Sequence, residues 1–380
     1  MATAMTDDGD RPTLGPGQVP GSVVIIGTGL IGTSIALALR DRGISVWLAD
    51  ADDEAVLLAA NLGAGQPLPG DGVPGGPADV VVLAVPPATV ATELRSAQAR
   101  GLGVAYTDVA SVKELPLSAA RALGCDLASY LPGHPLSGRE RSGPAAARAD
   151  LFVGRPWVLC PQPVNDPTTI ALGTGLAEAC GALPVAVASA DHDQWVALVS
   201  HAPHVVAAAM AARLEPAPAE ALGLAGQGLR DVTRIAASGA GMWLQILTAN
   251  AGPASTVLRA VAADLTGVAD GLANLAAGDE EAVKVVADLL ARGSDGVHRI
   301  PGKHGGPTRD FAPVQVVIPD RPGELARLFR VAEEAGINIE DVSIEHSPGL
   351  PVGVAELWVR PDIVAELSGV LAAGGWPVRR

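Results

Sequence analysis

The sequence predicts an α/β Rossmann-type doubly wound domain, followed by an all-helical dimerisation domain and a small α+β ferredoxin-like domain. Short β-branched runs alternate with segments of helical length up to about residue 189. From 190 to 300 almost nothing has the pattern of a strand, and apolar residues recur at helical spacing. Beyond the linker 301–312 the strand and helix alternation returns over residues 313–380.

Composition and charge limit the partners of this 380-residue chain, in which 48% of residues are hydrophobic and 18% are charged. The formal net charge of -15 argues against nucleic acid or an anionic membrane as a partner, because both require a basic face. The longest apolar stretches are too short to span a membrane. Three cysteines without metal-ligand spacing favour a reduced, cytoplasmic protein with no metal site.

The first domain, residues 21–189, follows an acidic, Gly- and Pro-containing segment, 1–20, that we expect to be a disordered tail. Uninterrupted apolar runs are typical of parallel strands that are buried on both faces. We also expect a surface loop over 61–77, where Gly and Pro are dense. The predicted strands are Val23–Ile26, Ser45–Leu48, Asp79–Val85, Val104–Asp108, Trp157–Cys160 and Leu183–Val187.

A glycine motif follows the first strand and predicts a dinucleotide site. Gly27 allows the tight turn, Gly29 lets a pyrophosphate approach the helix N-terminus, and Gly32 permits close packing of helix on strand. Asp50 ends the next strand, where a carboxylate accepts the ribose hydroxyls and repels a 2′-phosphate, so NAD is favoured over NADP. The alternative for Asp50 is an ordinary solvated acid. The predicted cofactor contacts are Gly27, Thr28, Gly29, Leu30, Ile31, Gly32, Asp50, Val85, Pro86 and Ser111.

The second domain, residues 190–300, has wide apolar faces over four or five predicted helices. These faces exceed what one small bundle buries, so we expect a homodimer interface. Packing of the same faces against the first domain is the alternative.

The C-terminal segment, residues 313–380, has a βαββαβ-like order that predicts the ferredoxin-like fold. Its predicted elements are strands at Val314–Ile318, Ile337–Glu345 and Val354–Val359 and helices at Glu324–Glu334 and Asp362–Ala373.

Polar residues interrupt otherwise apolar segments and therefore need partners or a purpose. Taken singly, His201 or His204 is an ordinary structural histidine and Arg234 an ordinary surface cation. Together with their neighbours, however, they form the runs TDVASVK, GHPLSGRE, LFVGRPWVLCP, DHD, SHAPH and LRDVTRIA, then Met242-Trp243. In this order the runs resemble the prephenate dehydrogenases of tyrosine biosynthesis, and the resemblance covers residues 22 to about 300. The run PDRPGELARLFRVAEEAGINIEDVSIEHSPG resembles an ACT domain.

This resemblance implies NAD-dependent oxidative decarboxylation of prephenate to 4-hydroxyphenylpyruvate, carbon dioxide and NADH. It makes His134 the acceptor of the hydroxyl proton, a role that suits a neutral imidazole. Ser111 would orient His134 and share the same hydroxyl.

The substrate is a dianion, and the resemblance assigns Arg234 to its ring carboxylate. His201 and His204 would line the side-chain pocket, and Asp231 would steady Arg234 or a histidine; for Asp231 a surface pair is the alternative. The remaining assigned positions are Glu140 at the pocket mouth, Trp243 near a dimer interface, and Gln227, which stands where the family commonly has Gly.

Several alternatives remain open at this stage. Gln227 lies near the pocket that separates prephenate from arogenate, so arogenate dehydrogenase is the closest alternative. A β-hydroxyacid dehydrogenase would need a catalytic lysine in the helical domain, where the sequence has only Lys284. A non-enzymatic regulator would not need the His134, Ser111 and Arg234 set. The ACT-like domain would bind tyrosine as a feedback effector or would only assist assembly.

Overall fold

The structure, a computed structural model, describes residues 13–138, 141–300, 311–346 and 351–379. The chain divides into two compact units, Met1–Val261 and Ala262–Arg380. This division falls inside one continuous helix, Ala251–Ala276.

The first unit contains a six-stranded parallel sheet with the order β3-β2-β1-β4-β5-β6. The four strands predicted from the apolar runs before residue 110 are confirmed, to within two residues at each end. The strands are β1 Ser22–Ile26, β2 Ser45–Ala49, β3 Gln66–Pro67, β4 Ala78–Leu83, β5 Gly103–Asp108 and β6 Tyr130–Leu131.

Both faces of this sheet are buried, because successive side chains of a strand point to opposite faces. In β1, Val23 and Ile25 belong to one hydrophobic core and Val24 to the other. In β4, Val80 and Val81 divide in the same way. The continuous apolar runs in the sequence therefore correctly indicate a doubly covered parallel sheet.

The last two predicted strands belong to a different sheet, which has the order β7-β8-β9. Its strands are β7 Gly133–Pro135, β8 Pro156–Leu159 and β9 Leu183–Ala186. Only Pro132 separates β6 from β7, so no crossover helix can return the chain to the first sheet as a parallel strand. Instead β7 pairs antiparallel with β8, and β8 pairs parallel with β9.

Helices cover the sheets of the first unit, fill its second half and, as α11 and α12, continue into the second unit. Between α6 and α7, residues 197–201 form a π-helical turn, a feature that is frequent at functional sites. The helices are α1 Leu30–Arg40, α2 Asp53–Asn61, α3 Val90–Ala99, α4 Glu114–Ala122, α5 Pro167–Ala179, α6 Ser189–Val196, α7 Ala202–Ala211, α8 Ala219–Leu222, α9 Gln227–Thr233, α10 Ala240–Ala249, α11 Ala251–Ala276 and α12 Val283–His298.

The C-terminal segment has the predicted βαββαβ order and an antiparallel sheet with the order β11-β12-β10-β13. Strand β12 alternates buried and half-buried residues, which is the pattern of a sheet covered on one face. The elements are β10 Ala312–Pro319, α13 Glu324–Glu334, β11 Asp341–His346, β12 Val352–Val359, α14 Val364–Ala373 and β13 Val378–Arg379.

Two smaller expectations differ from the structure. Part of the predicted tail is anchored: Leu14 packs against the first core, and the backbone amide of Gln18 donates to the carbonyl of Ala171 at 2.8 Å. The predicted loop 61–77 contains the short strand β3, which pairs with β2.

The predicted linker 301–312 lies mostly outside the described residues. Within the described ranges, no helix is long and apolar enough to cross a membrane.

Candidate active site

The glycine turn between β1 and α1 has the geometry that the motif predicts. Gly27 has a φ of 101°, a conformation that favours glycine. A Cβ on Gly32 would lie 1.9 Å from the carbonyl oxygen of Gly27, so the helix can approach the turn only without a side chain there. A Cβ on Gly29 would meet open space. That free volume lies at the N-terminus of α1, where backbone amides attract an anion.

Asp50, at the end of β2, is held by the glycine turn itself. Its Oδ2 accepts from the backbone amide of Thr28 at 2.6 Å and from the Thr28 hydroxyl at 3.0 Å, while Oδ1 accepts from the amide of Asp52 at 3.1 Å. These contacts orient the carboxylate beside a cleft of about 670 Å³. Asp50 is therefore a positioned acid.

The cleft runs along the carboxyl ends of β1, β2 and β4, where open α/β sheets bind ligands. Five of the predicted cofactor residues line it, namely Gly27, Gly29, Asp50, Val85 and Pro86. The buried Thr28 acts behind the cleft through its bonds to Asp50. Leu30, Ile31, Gly32 and Ser111 are not among the lining residues.

His134 lies in the middle of β7, close to the carboxyl end of β5. The two segments approach so closely that a Cβ on Gly133 would lie 2.9 Å from the carbonyl oxygen of Asp108. The Nδ1 atom of His134 is 2.8 Å from Nε2 of His192, and the two rings meet edge to face. Burial lowers the pKa of His134 well below its ordinary value, and His192 and Lys113 act in the same direction. The imidazole is therefore neutral near pH 7.

His192 is held in turn by Asp193, its neighbour in α6. Nδ1 of His192 lies 2.8 Å from Oδ1 of Asp193. The same carboxylate accepts the backbone amides of Lys113 at 2.8 Å and Glu114 at 2.9 Å, where α4 begins. Burial opposes ionisation of Asp193, but the bond from His192 and the two amides outweigh it, so the pKa of Asp193 lies below its ordinary value. The result is a fixed chain from an ionised carboxylate to His134.

A buried ion pair lies beneath this chain. Lys113 and Asp108 are both completely buried, and the Lys113 ammonium donates to Asp108 and to the carbonyl of Gly133. Asp108 also accepts from the Tyr130 hydroxyl at 2.6 Å and from the amide of Ala110 at 2.8 Å. Each polar atom thus has a partner, which a buried charge requires. The pair joins the end of β5 to the backbone directly before His134.

A second group of aromatic and histidine side chains joins α7 to α10. The rings of His204 and Trp243 stack with centroids 3.6 Å apart and planes 10° apart, and His201 meets Trp243 edge-on at 6.2 Å. Asn250 lies 3.1 Å from Nδ1 of His201. Burial lowers the pKa of His201 to about 4, against the opposing charge of Asp193. Burial also lowers the pKa of His204.

The other predicted residues lie on more open parts of the structure. Arg234 is exposed and begins a one-turn helix that packs against α7. Asp231 accepts from the amide of Gln227 at 2.8 Å, and no bond to Arg234 or to a histidine is found in the described part of the chain. Ser111 is half-buried in the turn after β5. Glu140 lies outside the described residues.

Sequence reasoning missed three residues of this site. His192 and Asp193 stood inside the quoted run DHD without a role, and Asn250 was not considered. A buried His-Asp pair and a buried Asn at a helix junction are polar interruptions of apolar helices, and that pattern could have drawn attention to them.

Family models match most of the first unit and the helices that follow. Residues 35–185 match the nucleotide-binding domain of prephenate dehydrogenase, and residues 188–285 match the dimerisation domain of prephenate dehydrogenase.

Three relatives extend this similarity. A probable prephenate dehydrogenase of Streptomyces niveus is 40% identical over 365 residues, which cover 94% of this chain and 99% of the relative. A prephenate dehydrogenase of Bacillus subtilis is 26% identical, over 86% of this chain and 89% of the relative. The crystal structure of prephenate dehydrogenase from A. aeolicus with hydroxyphenyl propionate and NAD+ matches with a TM-score of 0.62 and 25% identity, over 72% of this chain and 97% of that one.

Proposed function

The chain belongs to the prephenate dehydrogenase family, and from that premise we propose that it catalyses the NAD-dependent oxidative decarboxylation of prephenate. The products are 4-hydroxyphenylpyruvate, carbon dioxide and NADH, in the biosynthesis of tyrosine. The observation that carries the proposal is a neutral, half-buried His134 held by His192 near the carboxyl end of β5, on the same edge of the sheet as the dinucleotide-type cleft.

The residues of the cleft fit NAD. The open space at Gly29 accommodates a pyrophosphate against the N-terminus of α1, and the Asp50 carboxylate, fixed by Thr28, suits the two ribose hydroxyls. The same carboxylate would repel a 2′-phosphate. When bound, NAD accepts the hydride that leaves the ring carbon bearing the hydroxyl.

His134 accepts the proton of that hydroxyl and later returns it. As the hydride departs, the hydroxyl becomes a carbonyl, and its proton passes to the neutral imidazole. Loss of carbon dioxide then makes the ring aromatic and leaves a phenolate oxygen, to which the imidazolium returns the proton. The protein gains no net proton, and its task is to align hydroxyl, hydride and carboxylate.

Arg234, with a guanidinium exposed beside α7, is proposed to bind the ring carboxylate in a bidentate pair. His201 and His204 are proposed to line the pocket for the side chain, with Trp243 forming one wall through its stack on His204. Ser111, Asp231, Gln227 and Glu140 keep their predicted places at this site as part of the proposal.

The remaining parts of the chain have proposed roles in assembly and regulation. The helical region that matches a dimerisation domain would form the interface of a homodimer. The C-terminal sheet has the ferredoxin-like strand order, which supports an ACT-type module that binds tyrosine as an effector or assists assembly. Three free cysteines support a cytoplasmic location.

The test is NADH or NADPH formation by the purified protein with prephenate or arogenate and NAD or NADP, in all four pairings. We expect turnover with prephenate and NAD. Turnover with arogenate alone would identify the protein as an arogenate dehydrogenase, with the same oxidative decarboxylation on a different substrate. No turnover in any pairing would refute the proposed function.

A further inference from the structure

Asp193 is connected to His134 through its side-chain carboxylate and to His201 through its backbone carbonyl. Its carboxylate faces Nδ1 of His192, and its backbone carbonyl accepts from the Asn250 side chain at 2.7 Å. The Asn250 amide in turn lies 3.1 Å from Nδ1 of His201. Asp193, His192 and Asn250 are all buried, so these bonds are protected from exchange with water.

The carboxylate branch determines which nitrogen of His134 carries the proton. An ionised carboxylate only accepts, so Nδ1 of His192 must carry a hydrogen. With that hydrogen as its one ring proton, His192 presents the lone pair of Nε2 to Nδ1 of His134, 2.8 Å away. Nδ1 of His134 must then donate to that lone pair, which leaves Nε2 of His134 unprotonated.

The carbonyl branch has the opposite result at His201. Only the amide nitrogen of Asn250 can donate to the carbonyl of Asp193, and this decides the orientation of the amide. Its second hydrogen points to Nδ1 of His201, which therefore accepts. Because burial keeps His201 neutral, the one ring proton of His201 is on Nε2.

We propose that Asp193 holds the two histidines in opposite tautomers, with Nε2 of His134 as a proton acceptor and Nε2 of His201 as a hydrogen-bond donor. Asp193, His192 and Asn250 are positioning residues in this arrangement. The inference rests on the proposed function for its consequence: the acceptor suits the substrate hydroxyl, and the donor suits an oxygen of the side chain.

The donor at His201 also bears on the class of substrate. A keto oxygen accepts a hydrogen bond from an N–H group, whereas the ammonium that replaces it in the corresponding amino acid cannot accept one. With His201 at the side-chain pocket, the tautomer set by Asn250 therefore favours a keto acid over the corresponding amino acid.

The direct test is nitrogen-15 NMR of the full-length protein with labelled histidine at pH 7.5, without substrate. The His134 and His201 signals are assigned from the variants His134→Asn and His201→Asn. We expect Nδ1 protonated and Nε2 bare at His134, and the reverse at His201. The same tautomer at both sites, or an imidazolium at either, would overturn the proposal.

Two variants test the positioning roles, with Asp191→Asn as the matched control because Asp191 is an exposed acid on the same helix. We expect Asp193→Asn to lower kcat on the order of 10²-fold or more. In a plot of kcat against pH, the acid limb reports protonation of His134. This limb should move to lower pH in Asp193→Asn, because the Asp193 anion that favours the imidazolium form of His134 is gone. A lower kcat with an unmoved limb would indicate a merely structural role and would contradict the proposal.

Asn250→Asp replaces the donor at His201 with an acceptor and should move the His201 proton from Nε2 to Nδ1 in the NMR spectrum. The prephenate KM should rise. An unchanged His201 tautomer would refute the Asn250 branch. Because the spectra need no substrate, a protein with both expected tautomers but no turnover would support this proposal while refuting the proposed function.

Discussion

Lys113 and Asp108 form an ion pair in which both side chains are completely buried, directly behind the strand that holds His134. Taking two charges out of water is costly, and removing one partner leaves the other uncompensated. The pair also links the end of β5 to the carbonyl of Gly133. Because the two charges compensate each other, a lysine and an aspartate are tolerated in the interior of the first unit.

Breaking this pair should destabilise the protein. We expect Lys113→Met to lower the free energy of unfolding by about 3–5 kcal/mol, because it leaves a buried carboxylate without its cation. Urea unfolding followed by circular dichroism measures the change. The double variant Lys113→Met with Asp108→Asn should recover part of the loss, and equal stability of the single variant and the unmodified protein would contradict the prediction.

His134→Asn removes the proton acceptor and leaves the dinucleotide cleft untouched. We expect kcat to fall by roughly 10²–10⁴-fold, the usual contribution of a positioned base. NAD affinity, measured by calorimetry, should stay nearly unchanged. The exposed His298, in the second unit, provides the control His298→Asn, which should have normal activity. A normal rate for His134→Asn would exclude the acceptor role.

Arg234→Gln removes the guanidinium that we assign to the ring carboxylate. The prephenate KM should rise by about tenfold or more, since a charge-assisted hydrogen bond contributes roughly 1.5–3 kcal/mol. Steady-state kinetics over a range of prephenate concentrations measure this KM. Arg230→Gln, at another exposed arginine one turn earlier, is the matched control. If both variants have the same KM, Arg234 does not bind the carboxylate.

Asp50→Ser should change the choice of cofactor. The variant loses the carboxylate that Thr28 orients beside the cleft, so the KM for NAD should rise by about tenfold. The KM for NADP should fall, because the charge that repels a 2′-phosphate is gone. Asp53→Asn removes an exposed acid from the first turn of α2 and should leave both values unchanged. If Asp50→Ser keeps the preference for NAD over NADP, Asp50 does not bind the ribose hydroxyls.

His201 should make stability depend on pH on the acid side. Its pKa is about 4 in the folded protein and near 6.5 when unfolded, so between these values the unfolded chain binds the additional proton. The stability that a neutral His201 contributes is present above pH 6.5 and is lost as the pH falls towards 4. From pH 7 to pH 5 the loss should be about 2 kcal/mol. Thermal unfolding of the unmodified protein and of His201→Gln tests this, since the variant should have the smaller pH dependence.

The doubly covered sheet and the C-terminal βαββαβ order were predictable because they depend on local patterns. Val23 to Ile26 forms an apolar run, a glycine turn and helix α1 follow directly, and each step involves neighbouring residues. The strand pairing of β8 and β9 was not predictable in the same way. Their runs have strand character, but the choice of sheet depends on how the chain leaves β6 at Pro132.

The sequence by itself determined the composition of the site: a glycine turn, an acid at the end of β2, and histidines and arginines that interrupt apolar segments. Only the tertiary structure decided which of them meet. His134 and His192 are 58 residues apart, and Asp193 and Asn250 are 57 apart, yet each pair is within hydrogen-bond distance. Periodicity reports which face of a helix or strand is buried, but it contains no information about a partner on a distant element. The tautomers that we propose for His134 and His201 depend on those distant partners, so the sequence alone could not predict them.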